Sequence, residues 1–209
     1  MLSSVLAFTV AAALLTLLPG ADTLLVLRSA MRGGRRGGVL AGLGVCTGLL
    51  AWGAAAAFGV TAVLAASHLA YTALRLVGAA YLVWLGIRTW REFRTARPAG
   101  LDAEPSGGRL TGWSAYRSGL LTNLANPKVG VFYLTFLPQF VPVGYPVLPL
   151  TMLFVAIHAT LGVLWLGLVA SAVQRARAVL SRPAVARWLG RVAGAIFLGL
   201  GARLAFDAR

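Results

Sequence analysis

Six apolar stretches take up most of this chain, each long enough to cross a bilayer as a helix. Such a helix needs about 20 mainly apolar residues. The windows near 2–30, 39–64, 69–90, 112–138, 147–172 and 187–206 all qualify. Only 11% of the 209 residues are charged, against 59% hydrophobic, and mean hydropathy is +0.82. Soluble domains carry about 25% charged residues, so a soluble fold would need a very unusual surface. The expected fold class is therefore all-α: one polytopic membrane domain with about six transmembrane helices.

The net charge of +14 suggests nucleic-acid binding until its distribution is read. Most arginines lie between apolar runs, in a pattern of short basic loops that stay cytoplasmic. The first connection is Arg32-Gly33-Gly34-Arg35-Arg36-Gly37-Gly38. The third gathers Arg88, Arg91, Arg94, Arg97, Arg109 and Arg117, and the fifth Arg175, Arg177, Arg182 and Arg187. The second (65–69) and fourth (138–146) contain no arginine or acid. This alternation puts connections one, three and five inside and both termini outside, and nucleic acid is not an expected partner. Arg75, Arg203 and Arg209 fit less well, and Asp207 partly offsets the last two.

Residues 95–110 mix Pro98, Gly100, Pro105, Ser106 and Gly107 with Asp102 and Glu104, which is linker chemistry. They divide the chain into a first half (1–94) and a second half (111–209) with three windows each. An odd number of spans makes the second half enter the membrane from the opposite side. The expected architecture is thus two inverted three-helix halves.

Each half opens on an interrupted window. The first interruption is Pro19-Gly20-Ala21-Asp22, the second Asn123-Leu124-Ala125-Asn126-Pro127-Lys128. Proline lacks the backbone donor and clashes with the preceding turn, so Pro19 and Pro127 free carbonyls that must find partners or line a wet cavity. Paired interruptions in matching positions point to a transporter's binding site. Asp22 is the one acid well inside an apolar window. It could cap the Leu24 and Leu25 amides as an N-cap, bind protons, or bind a substrate amine. Lys128 is the chain's single lysine; it either snorkels to an interface or, if buried, needs a counter-charge or carbonyls, and Asp22 is the obvious counter-charge. Asn123 and Asn126 share a helix face, and their amides can bind both a carboxylate and an ammonium. One acid, one base and two amides match the needs of a zwitterionic amino acid.

Other features carry less. Gly42, Gly44 and Gly48, with Gly190 and Gly194, suit close helix packing and would allow a homodimer. Cys46 has no disulfide partner and reads as a small packed residue. His158 could relay protons, although a packing role is favoured, and His68 falls in an external turn. Trp84, Trp90, Trp113, Tyr116 and Trp188 lie near expected cytoplasmic ends, as an aromatic belt would. No metal-ligand spacing, P-loop or nucleophile-base cluster is present, so neither a cofactor nor an enzyme is expected.

Several of these segments resemble the LysE/RhtB amino-acid exporters. They are Leu18-Pro19-Gly20-Ala21-Asp22-Thr23, the basic glycine-rich stretch at 32–38 with Gly42, Gly44 and Gly48, and Gly78-Ala79-Ala80-Tyr81-Leu82 followed by Trp84-Leu85-Gly86. To these are added Gly119-Leu120-Leu121-Thr122-Asn123-Leu124-Ala125-Asn126-Pro127-Lys128 and Phe136-Leu137-Pro138-Gln139-Phe140. The resemblance implies export of amino acids or close derivatives across the bacterial cytoplasmic membrane, driven by the proton gradient. Ala21 stands where the family usually has a second proline, which softens the first break. A basic substrate would call for more than one intramembrane acid, so the expected cargo is neutral: threonine, homoserine, homoserine lactone or leucine. The competing classes are a scaffold or complex subunit, and an exporter of another small solute.

Overall fold

A computed structural model of the chain describes residues 1–66, 68–95, 111–142, 144–180 and 182–206. The helices in chain order are α1 (Leu2–Leu17), α2 (Ala21–Ala66), α3 (His68–Thr95), α4 (Gly112–Leu124), α5 (Pro127–Val131), α6 (Val147–Ser171), α7 (Val173–Leu180) and α8 (Pro183–Phe206). Between α5 and α6 lie a π-helical segment, Phe132–Phe136, and a 3₁₀ turn, Leu137–Phe140. No strand occurs among the described residues. Helical elements occupy all six apolar windows. By length and composition alone, Ala21–Gly59 and Val147–Ser171 suffice to cross a membrane, with Leu2–Leu17 a shorter apolar helix. The linker at 96–110 lies outside the described residues.

The first connection departs from the loop expected at 32–38. The chain stays helical except at Gly34, whose φ of 63° and ψ of −170° fall in a region open essentially to glycine alone. This one residue folds α2 into a hairpin. Beyond it the two arms meet: a Cβ on Gly37 would lie 2.8 Å from the Ser29 carbonyl, and one on Gly38 would lie 2.7 Å from the Ala30 Cβ. Gly42 faces Val26 in the same register. The glycines thus serve the hairpin crossing, and the arginines crowd its tip. The fifth connection likewise contains a short helix, α7, carrying Arg175 and Arg177, and α8 begins four residues before the expected window.

Window four also differs from a single span. Beyond Pro127 the helix loosens into the π segment and the 3₁₀ turn, ending at Gly144, which has φ 85°. Thr111 caps α4 by accepting a hydrogen bond from the Ser114 amide at 3.3 Å.

The second arm of α2 packs on α4 and α6, while α3 pairs with α8. On the α2–α4 face, a Cβ on Gly44 would strike the Tyr116 carbonyl, and one on Gly119 the Ala41 carbonyl. Two apolar clusters result. One is aromatic, with Phe8 stacked on Phe154 at 4.6 Å and within ring contact of Phe132 and Phe140. The other uses smaller side chains: Val26, Leu27, Ala41, Val45, Ala115, Leu166, Val169 and Ala170. Trp84, Trp113 and Trp188 point away from both and are exposed.

Gly34→Ala should destabilise the fold by about 1–3 kcal/mol, because alanine cannot hold that backbone conformation without strain. Gly59, where a Cβ would meet nothing within 4 Å, provides the control. Thermal unfolding in detergent should show a lower midpoint for Gly34→Ala and none of that loss for Gly59→Ala.

Candidate functional site at the crossing of the two breaks

The site begins with two carbonyls that prolines leave without their helical donors. In an unbroken helix the amide of residue 19 would bond the carbonyl of residue 15. Pro19 has no such donor, and Leu18 turns to an extended conformation (φ −67°, ψ 116°). The Leu15 carbonyl is taken instead by Lys128 Nζ, 3.5 Å away and 113 residues on. The same event recurs at the second break. Pro127 cannot donate to the Asn123 carbonyl, which accepts from the Asn126 amide at 3.0 Å and from Trp52 Nε1 at 3.2 Å. Each break is therefore completed by a side chain from elsewhere in the chain.

The restarting helices then fix the polar groups. Asn126 caps α5, its Oδ1 accepting from the Lys128 amide at 3.1 Å. A backbone amide can only donate, so the Asn126 Nδ2 must face the other way. It faces Asp22, donating to Oδ2 at 3.1 Å. Asn123 Nδ2 donates to the same oxygen at 3.0 Å. Asp22 sits in the first turn of α2, but its carboxylate does not cap that helix: the Leu24 amide bonds the Gly20 carbonyl at 3.0 Å. Its two hydrogen-bond donors come from the second half of the chain. Ala21, in place of a second proline, occupies the first helical position of α2, which proline and alanine both suit. The break forms without it.

The structure thus gathers Asp22, Asn123, Asn126 and Lys128, together with Pro19, Gly20 and Pro127, at one place. The ammonium of Lys128 hydrogen-bonds the freed Leu15 carbonyl, with Asp22 as its counter-charge. Asp22 and Lys128 line one cavity of about 40 Å³, along with Thr16, Gly20, Thr23 and His158. A water needs roughly 10–15 Å³ by this measure, so the cavity accommodates a few waters and is too small for an amino acid. Its walls draw on both apolar clusters: Leu15, Leu18, Leu49 and Val129 from the aromatic one, Val45 and Leu166 from the other.

Two glycines give these groups room. A Cβ on Gly20 would lie 3.2 Å from Lys128 Nζ, and one on Gly48 would lie 2.5 Å from Asn123 Oδ1. Two acceptors remain buried without partners, Asp22 Oδ1 and Asn123 Oδ1. Trp52 was not among the residues the sequence singled out, since an indole in a tryptophan-rich membrane chain has many uses. His158, for which packing was favoured, proves to be a cavity wall. Cys46 is buried, with Sγ 3.8 Å from the Ala159 carbonyl, as a packed residue would be. Among the described residues, no group of three metal-ligating side chains occurs.

Comparison with known proteins places this geometry in context. The family model described as LysE type translocator matches residues 13–208. A homoserine/homoserine lactone efflux protein of Salmonella typhimurium is 30% identical, covering 95% of this chain and 94% of its own. A membrane protein of Vibrio cholerae is 31% identical over 96% and 95% respectively, and one of Pseudomonas aeruginosa 32% identical over 90% and 88%. No solved structure matches the chain.

Lys128→Met should cost stability, because the Leu15 carbonyl loses a donor worth about 1–3 kcal/mol when buried. Adding Pro19→Ala returns a backbone amide to that carbonyl. Thermal unfolding of the double variant should recover part of the loss, while transport stays as low as in Lys128→Met. Recovery of transport together with stability would reduce Lys128 to a backbone partner.

Proposed function

This chain belongs to the LysE type translocator family, and on that premise we propose that it exports amino acids or close derivatives from the bacterial cytoplasm in exchange for protons. The observation that carries the reading is the convergence of one acid, one base and two amides where the two helix breaks cross. Salmonella relatives of similar length are named for efflux of homoserine and its lactone, which fits a small polar cargo.

The geometry suits a zwitterion. Asp22 Oδ1 and Asn123 Oδ1 are unpartnered acceptors, able to take an α-ammonium group. Lys128 holds the Leu15 carbonyl at the long end of hydrogen-bond range, so a substrate carboxylate can compete with that carbonyl for the ammonium. Asp22 Oδ2 is already satisfied by two amides, leaving Oδ1 as the atom that binds either a proton or the substrate amine. These two ligands therefore compete for one oxygen, which is the elementary requirement of antiport. With a single acid at the site, the cargo is neutral overall: threonine, homoserine or leucine. Homoserine lactone keeps the amine but lacks the carboxylate, and would depend on the Asp22 side alone.

In the proposed cycle the six helical windows cross the membrane as two inverted halves with both termini outside. Cytoplasmic substrate enters as the small-residue cluster parts, displaces the proton from Asp22, and leaves outward as the aromatic cluster opens. A proton from outside then resets Asp22. A scaffold built on the same breaks would need none of this and would tolerate loss of the carboxylate.

Uptake of a mixed amino-acid pool into energised inside-out vesicles tests the reading. The wild type should accumulate neutral amino acids, with threonine, homoserine or leucine competing better than lysine or arginine. Asp22→Asn, at matched membrane levels, should abolish gradient-driven accumulation. Equal accumulation in both would return Asp22 to a structural role, and indifference to a collapsed proton gradient would refute the coupling.

A further inference from the structure

His158 shares the cavity with Asp22 and Lys128, yet nothing in the cycle so far uses it. It is 3% exposed, in the middle of α6, and its Nδ1 is buried with no hydrogen-bond partner. A buried polar atom without a partner is costly in a packed helix interface, and a histidine kept only for packing would be expected to find one. A second such atom lies beside it. Tyr133, in the π-helical segment, is fully buried and its hydroxyl is likewise unpartnered. The two rings lie nearly parallel, 22° apart in plane with centroids separated by 5.5 Å. No hydrogen bond joins the Tyr133 hydroxyl to His158 Nδ1.

Position along the chain gives these two groups a direction. Asp22 and Lys128 sit at the breaks, whereas Tyr133 lies five residues beyond Lys128, on the stretch leading to the uncharged 141–146 connection. That side carries the aromatic cluster, and Phe132 also contacts the His158 ring, at 5.7 Å between centroids. The segment carrying Tyr133 is π-helical, a rare form that is frequent at functional sites.

We propose that His158 is the proton-transfer residue between the outer side and Asp22, with the Tyr133 hydroxyl as its neighbour on the way out. The step balances within these groups. His158 accepts a proton at one ring nitrogen and releases one from the other to water in the cavity. That water delivers a proton to Asp22 Oδ1, and rotation of the imidazole restores the starting tautomer. The titratable groups around the ring are Asp22 from α2 and Lys128 from α5, which share its cavity, and Tyr133 from the π segment; Cys46 of α2 lies against the Ala159 carbonyl beside it. This assignment rests on the proton-coupled reading above.

Two assays on the same vesicles separate the roles. One is accumulation driven by an imposed pH gradient; the other is counterflow of labelled against unlabelled substrate, which needs binding and rocking but no net proton movement. His158→Gln should lower gradient-driven accumulation by about tenfold or more, within the range of a lost acid–base group, and leave counterflow largely intact. Tyr133→Phe, which keeps the ring, should give a smaller loss of the same kind. If His158→Gln lowers both assays equally while Tyr133→Phe changes neither, the ring shapes the cavity and the proposal fails. If both variants keep gradient-driven accumulation while Asp22→Asn loses it, the proposal fails and antiport through Asp22 stands. A wild type indifferent to the gradient would overturn the underlying reading itself.

Discussion

Everything in this protein's centre follows from two carbonyls that have lost their helical donors. In hydrocarbon an unsatisfied backbone group costs several kcal/mol, so the carbonyls that Pro19 and Pro127 leave without a helical donor need other partners, and the Asn126 amide supplies one of them locally. Lys128 reaches the Leu15 carbonyl and Trp52 reaches the Asn123 carbonyl. The first of these contacts ties the two breaks to each other, the second ties the later break to α2. A charged side chain is thereby held at the centre of an apolar bundle, and the acid that balances it is held by amides from the opposite half. Of these groups, Asp22 and Lys128 line the cavity.

The rest of the architecture keeps that crossing compact. Gly34 lets α2 double back, Gly44 and Gly119 let α2 and α4 touch backbone to backbone, and Gly48 leaves the space that Asn123 fills. The result is a cavity of about 40 Å³ between an aromatic cluster and a cluster of small side chains. Both clusters contribute walls to the one polar cavity.

Much of this was legible in the sequence because proline and charge have few uses in a membrane. The two breaks, the six windows and the four polar residues follow from that scarcity. What could not be read were the pairings across a hundred residues. Asp22 could have capped its own helix, and only the position of Asn123 and Asn126 in space decides against it. The stretch at 32–38 has the glycine and arginine content of a loop, yet one glycine suffices for the turn and the remainder stays helical. The π segment leaves no mark in composition, and His158 looked like any histidine packed in a helix. Trp52 was invisible for the same reason, since an indole's partner is set by packing and not by its neighbours in sequence.

The most direct measurement is calorimetric titration of homoserine, threonine and leucine against the purified protein in lipid nanodiscs, with Asp22→Asn and Lys128→Met alongside. Saturable binding of at least one of these by the wild type, lost when either charge is removed from a protein that remains folded, is the expected result. Undiminished binding in both variants would mean that the crossing of the breaks holds the helices together and the substrate sits elsewhere.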